Sequence, residues 1–119
     1  MQPLDDTERL VVNHKDGRYE PFALDGKEEA GQTVLQLDDA MPLGTGFHIY
    51  RMAPGAVTTA HEHPTGEHFY VIDGDLQDHD GYEYKAGDLV YLKPGSVHNS
   101  TTREGCTLVV FLEAAENTL

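Results

Sequence analysis

Basic residues are scarce in this sequence. The 119 residues include 8 Lys and Arg against 21 Asp and Glu, which gives a formal net charge of −13 at pH 7. A charge of this sign and size repels the phosphates of nucleic acids and the headgroups of anionic lipids. We therefore exclude nucleic acid and membrane surfaces from the expected partners.

Long apolar runs are also missing. No stretch approaches the roughly 20 apolar residues that a membrane-spanning helix requires. The N-terminal residues Met1–Asp6 are acidic, whereas a secretion signal begins with basic residues and continues with apolar ones. These two absences predict a soluble, cytoplasmic protein.

Cysteine and tryptophan are nearly absent. Cys106 is the only cysteine, which excludes an internal disulfide and a cysteine-rich zinc site. It precedes the apolar run 107–111, so we predict that its thiol packs in the interior and is unreactive. The aromatic residues are four Phe and six Tyr, with no Trp, as suits one small domain with a modest interior.

Helical periodicity is lacking, and turn signals take its place. Asp-Gly pairs occur at 16, 25, 73 and 80, and this dipeptide favours tight hairpin turns. Short runs rich in β-forming residues lie among them, at 32–37, 46–52, 68–72, 82–85, 89–92 and 107–112. Strands of this length and spacing predict an all-β sandwich or barrel. Only 5–10 and 27–30 are candidates for a helical turn.

The domain organisation predicted from this pattern is simple. Residues 1–30 are expected to form an N-terminal arm and the first strands, and residues 31–119 to form a barrel, with one domain in total. The first 20 or so residues carry few apolar side chains, so their order is expected to depend on docking, for example against a partner subunit.

Four residues form a pattern typical of a metal site. In an extended chain His61 and His63 project from the same face, because side chains alternate between faces. The turn 64–66 then brings Glu67 back towards them, and His98 follows a second turn at the start of a later strand. A His-x-His pair alone is often two solvated side chains, but an acid at turn distance favours a metal ligand set. His68 points to the opposite face, and His14, His48 and His79 are assigned to the surface or to packing.

The ligand chemistry indicates one divalent transition metal. Imidazole together with carboxylate suits Fe, Mn, Ni, Zn or Co and disfavours Cu(I). Three imidazoles and one carboxylate leave positions for water, oxygen or substrate, as a catalytic metal requires.

The spacing resembles that of a known superfamily, the cupins. Their first motif is matched by Gly55, His61, His63, Glu67 and Gly74. The second is matched from Gly87 to His98, with Lys93 where Pro is usual and Thr102 where Asn is frequent. The resemblance implies an all-β cupin barrel, a double-stranded β-helix of the jelly-roll type with little or no helix. It also implies one bound metal at these ligands and a homodimer.

Further segments resemble one subgroup of that superfamily. These are 66–67, 81–82, 94–98 and 104–108, which look like the anti-sigma-factor (ChrR-like) cupins, a subgroup that includes proteins resembling acetylacetone and dihydroxyacetophenone dioxygenases. The resemblance implies a metal-dependent dioxygenase acting on a small dicarbonyl or hydroxyketone, with Fe(II) as its metal. A sensory or ligand-binding cupin, a metal-dependent isomerase or epimerase, and a barrel stiffened by a structural metal stay open as alternatives. Zn, Ni and Mn also stay open as the bound metal.

Strand alternation predicts the lining of the pocket beside the metal. Thr59, Phe69, Ser96 and Ser100 are expected there, which describes a site for a small organic ligand that is anionic or chelating. No residue outside the ligand set is an obvious general base. Arg51, as a partner for an anion, and Tyr84 and Tyr91, as proton donors, are the catalytic candidates, with solvent exposure or packing as the alternative for each.

Overall fold

The computed structural model describes residues 1–119 and contains twelve strands and no helix, which confirms the all-β prediction. The strands are β1 (Glu20–Leu24), β2 (Lys27–Gln36), β3 (Gly46–Met52), β4 (His61–Glu62), β5 (Glu67–Gly74), β6 (Leu76–Asp78), β7 (Glu83–Tyr84), β8 (Leu89–Leu92), β9 (Val97–His98), β10 (Ser100–Thr101), β11 (Cys106–Leu112) and β12 (Asn117–Thr118).

All strand pairs are antiparallel and form three sheets. The large sheet has the order β1-β2-β3-β11-β5-β8, and the small sheets have the orders β10-β6-β7 and β12-β4-β9. The core lies on one face of the large sheet, where Phe69, Val71, Leu108 and Val110 are buried together with Leu76 and Tyr84 of the second sheet. The neighbouring positions on β5 and β11, such as Tyr70 and Phe111, are exposed. This alternation is the period-two pattern from which the strands were predicted.

The helical turn expected at 27–30 is wrong. Those residues open β2, which pairs with β1 so that Leu24 lies opposite Lys27. Asp25 and Gly26 form the connecting turn with positive φ angles of 52° and 76°, the conformation that a two-residue hairpin requires. Pairing in the β1–β2 hairpin therefore makes residues 27–30 a strand and not a helical turn. The predicted division at residue 30 falls inside β2, which continues without a break.

The N-terminal segment is attached to the large sheet by Arg51. The Arg51 guanidinium lies 4.0 Å from the centre of the Tyr19 ring and donates a hydrogen bond to the His14 carbonyl at 2.8 Å.

No helix capable of crossing a lipid bilayer occurs in the structure.

Cys106 lies in the core, as the sequence indicates. It is 4% exposed, and burial raises the pKa of its thiol to about 12. A thiol that stays protonated in apolar surroundings is a poor nucleophile, so its role in the fold is packing.

Candidate metal centre

Backbone pairing brings the four candidate ligands to one place. His61 on β4 and His98 on β9 are direct cross-strand partners. His63 follows β4 immediately, and Glu67 opens β5 after the turn at 64–66. Two very short strands and one tight turn thus gather residues that are up to 37 positions apart in the chain (98 − 61).

The three imidazoles converge through their Nε2 atoms. His63 Nε2 lies 3.2 Å from His61 Nε2 and 3.0 Å from His98 Nε2. Glu67 Oε1 lies 3.5 Å from His63 Nε2. His61 is 5% exposed and His63 is fully buried, so the centre is shielded from bulk solvent.

Hydrogen bonds orient two of the rings. His61 Nδ1 donates to the Thr59 carbonyl at 2.6 Å, and His98 Nδ1 donates to Asp78 Oδ2 at 3.2 Å. Asp78 is itself held by Tyr84, whose hydroxyl donates at 2.7 Å, and by Ser100, whose hydroxyl donates at 2.6 Å. With the proton on Nδ1, the lone pair of each Nε2 points into the centre. Partners of this kind fix the tautomer of metal-binding histidines.

The arrangement fits a divalent metal ion. Two nitrogens bound at about 2.1 Å from one ion and at right angles to each other are about 3.0 Å apart, close to the two spacings observed. Without a cation, the Nε2 lone pairs of His61 and His98 would face the same small space. A shared cation offsets the mutual repulsion of such donors.

Burial sets the protonation of the site. It lowers the pKa of His63 to about 3, helped by the neighbouring His61 and His98, and it also lowers the pKa of His61. Both rings are therefore neutral near pH 7, the form that binds metals. Burial raises the pKa of Glu67 to about 8, helped by the negative charges of Glu116 and Asp78. Burial also raises the pKa of Glu116 to about 7, helped by Glu29 and opposed by His98.

Two further side chains at the site lie outside the predicted set. Glu116 Oε2 lies 3.1 Å from His61 Nε2, and Glu116 forms a second possible metal-binding group with His63 and Glu67. His48, assigned from sequence to the surface or to packing, is buried on β3 and lines the cavity described below. The neighbouring sequence gives no signal for Glu116, whereas alternation along β3 places His48 on the same inward face as Tyr50 and Met52.

A cavity of about 60 Å³ adjoins the centre. Its polar lining residues are His48, Thr58, His61, Glu67, His98, Ser100 and Glu116. Its apolar wall is formed by Phe22, Tyr50, Met52, Phe69, Leu76, Leu108, Val110 and Leu112. About 10–15 Å³ of such space holds one water molecule, so the cavity has room for roughly four to six waters. It suits a ligand of only a few heavy atoms.

Only two of the four residues predicted to line the pocket do so. Phe69 and Ser100 line the cavity, but Thr59 and Ser96 do not. Between Val57 and β4 the chain forms no regular strand, so Thr58 takes the inward position and Thr59 contacts the site only through its carbonyl. Ser96 lies in a turn, where its hydroxyl donates to the Lys93 carbonyl at 2.6 Å. Strict alternation therefore does not apply to either residue.

None of the three catalytic candidates lines the cavity. Arg51 is engaged with the N-terminal segment. Tyr91 is exposed on the outer face, with its ring centre 4.6 Å from that of His68. Tyr84 is buried and donates its hydroxyl to Asp78, so it supports a neighbour of the centre. The prediction that Arg51 and Tyr91 contact the substrate is therefore wrong, because their side chains point away from the cavity.

Comparison with protein families gives one match that covers most of the chain. The model of the ChrR Cupin-like domain matches residues 7–116. No curated protein sequence matches.

Several solved structures share the fold. The polyketide cyclase RemF from Streptomyces resistomycificus has a TM-score of 0.73 and 21% identity, with 92% of this chain and 84% of that chain covered. The acetylacetone dioxygenase from Acinetobacter johnsonii has a TM-score of 0.72 and 14% identity, with 100% and 82% covered. A chain of the complex of SigE with the anti-sigma ChrR from Rhodobacter sphaeroides has a TM-score of 0.63 and 18% identity, with 82% and 49% covered. At these identities the likeness shows a common fold.

Proposed function

The chain belongs to the ChrR Cupin-like domain family, and from this premise we propose that it binds one divalent transition metal and acts as a metal-dependent dioxygenase. The proposed ligands are His61, His63, Glu67 and His98, and the proposed substrate is a small dicarbonyl or hydroxyketone. The observation that carries the proposal is the convergence of three Nε2 atoms at the end of a small apolar cavity.

The charge of the proposed ligand set supports a chelating substrate. Three neutral imidazoles and one carboxylate give a divalent ion a net charge of plus one, which favours an anionic or enolisable molecule with two oxygens. When bound, the metal supplies Lewis acidity, and Fe(II) also supplies the redox chemistry of a reaction with dioxygen. Zn in the same ligands, which has no redox chemistry, supplies Lewis acidity alone or simple ligand capture.

The cavity wall supports recognition by size and by exclusion of water. Its aliphatic and aromatic side chains offer few hydrogen bonds, and the Ser100 hydroxyl is already engaged with Asp78. The Tyr50 hydroxyl likewise donates to Gln32 Oε1. A substrate held in this space is therefore oriented by shape and by the centre, and the small volume favours a molecule of the size of a short-chain dicarbonyl.

His48 is the proton acceptor that the proposed reaction needs. Its Nδ1 donates to the Gly46 carbonyl at 3.1 Å, which leaves the Nε2 lone pair free, and burial lowers the pKa of the ring. A neutral imidazole in an apolar cavity can accept the acidic proton between two carbonyl groups. We expect His48→Phe to lower oxygen uptake about 100-fold while one equivalent of metal is retained. Unchanged uptake in this variant, measured with an oxygen electrode, would remove His48 from the mechanism.

The dioxygenase proposal is tested by metal content and oxygen consumption. Protein loaded anaerobically with Fe(II) is mixed with a panel of small β-diketones and hydroxyketones, and oxygen uptake is followed with an electrode. We expect one O₂ consumed for each carbon–carbon bond cleaved, with both oxygen atoms in the two products and a rate proportional to iron occupancy. Zn(II)-loaded protein is the matched control, because it has the same ligands without the redox chemistry.

A sensory or ligand-binding role is the second candidate. Its support is that none of the proton donors expected from sequence lies in the cavity and that the family is named after an anti-sigma factor. Tight metal binding without oxygen uptake under any loading, together with a saturable shift in thermal stability by a diketone, would favour this candidate over the dioxygenase.

A further inference from the structure

The C-terminal segment runs beside the metal centre. β12 pairs with β4, so that Asn117 lies opposite Glu62 and Thr118 opposite His61. The Thr118 hydroxyl also donates to Asp25 Oδ2 at 2.6 Å, which attaches this end of the chain to the β1–β2 turn. Glu116 is the last residue before β12, and this pairing carries its side chain into the cavity.

The contacts of Glu116 are those of a residue that shares a cation with the histidines. Its side chain is 13% exposed, and its Oε2 lies 3.1 Å from His61 Nε2, one of the three nitrogens that converge at the proposed centre. Because His61 Nδ1 donates to the Thr59 carbonyl, its Nε2 presents a lone pair. Two acceptors at 3.1 Å repel each other unless a metal cation or a proton lies between them, and 3.1 Å matches the spacing of the imidazole nitrogens.

We propose that Glu116 is a fifth protein ligand of the same metal ion, delivered by the C-terminal segment from outside the two sequence motifs that supply the other four. The inference rests on the proposed metal site. It adds a second carboxylate, which makes the centre with a divalent ion formally neutral. It also leaves one position of a six-coordinate ion to an outside ligand, so a chelating molecule must displace Glu116 to bind through both oxygens.

Mn(II) and water-proton relaxation test this directly. Water bound to Mn(II) relaxes bulk protons in proportion to the number of coordinated waters, so removing a protein ligand raises the relaxation rate. We expect Mn(II)-loaded Glu116→Ala to show the increase due to one additional water, and its Kd for Mn(II) to rise at least about tenfold. Glu113→Ala is the matched control, because this carboxylate belongs to the same segment but is exposed, and it should resemble the wild type in both measurements.

The outcomes separate this inference from the proposed site. Wild-type relaxation and Kd in both Glu116→Ala and Glu116→Gln would overturn the fifth ligand while leaving the four-residue site in place. A wild-type protein that binds no Mn(II), Fe(II) or Zn(II) would overturn both. Circular dichroism of each variant verifies that a change comes from the ligand set and not from loss of the fold.

Discussion

Alanine at position 98 is expected to abolish stoichiometric metal binding while leaving the strand content of the protein intact. His98 supplies one of the three converging Nε2 atoms, and its ring is already oriented by Asp78, so the substitution removes a preorganised nitrogen ligand. The pairing of β4 with β9 uses backbone atoms and does not depend on the imidazole. The measurement is metal content after gel filtration of metal-loaded protein, accompanied by far-ultraviolet circular dichroism. The same result is expected for His61→Ala.

His68→Ala is the matched control for these variants. His68 is adjacent to Glu67, but its ring lies on the outer face of the large sheet against Tyr91, so this variant should keep one full equivalent of metal. One equivalent retained in both His61→Ala and His98→Ala would contradict the ligand assignment. Loss of the fold on chelation would instead indicate a structural metal, because binding is then coupled to folding.

Gly74→Ala is expected to be the most destabilising substitution of a single glycine in the chain. Gly74 ends β5 with a φ of +88°, and an added Cβ would lie 2.0 Å from the Gly105 carbonyl oxygen and 2.6 Å from the Cys106 Cα. Both contacts are with backbone, so β5 and β11 would have to separate where the last residue of β5 pairs with the first residue of β11. The left-handed conformation costs about 1–2 kcal/mol and overpacking about 1–3 kcal/mol more. Urea unfolding should show a loss of about 2–5 kcal/mol in the free energy of unfolding.

Gly81→Ala isolates the backbone contribution to that loss. Its φ is +89°, nearly the same as at Gly74, but nothing lies within 4 Å of an added Cβ. Only the conformational cost of about 1–2 kcal/mol applies. Equal losses of unfolding free energy in the two variants would show that the contact with Gly105 is relieved at little cost.

Local pattern is sufficient for the long strands and insufficient for the short ones. The predicted runs 46–52 and 89–92 coincide with β3 and β8, because alternating side chains between turn residues determine a strand by themselves. β4, β7, β9, β10 and β12 have two residues each, too few for any periodicity, and only β7 lies within a predicted run. These strands form because the rest of the fold brings their partners beside them, as it brings β9 and β12 beside β4. The sequence around each strand does not contain that information.

The same distinction applies at the candidate site. His61, His63 and Glu67 lie within seven positions, so strand alternation and one turn were enough to predict that they meet. Thr59 and Ser96 were misplaced because the chain around each is irregular, which alternation does not describe. Glu116 was missed because its approach depends on β12 pairing with β4, a contact between residues more than 50 positions apart (117 − 62 = 55).

The position of β12 has a practical consequence for handling the protein. Residues fused after Leu119 would emerge next to the strand that carries His61, within reach of the cavity mouth. A polyhistidine tag there brings additional imidazoles to a centre that is itself made of imidazoles, and it pulls on the segment that carries Glu116. Metal stoichiometry and metal preference are therefore best measured on protein purified through an N-terminal tag that is then removed, since a C-terminal tag could create the very occupancy it is used to measure.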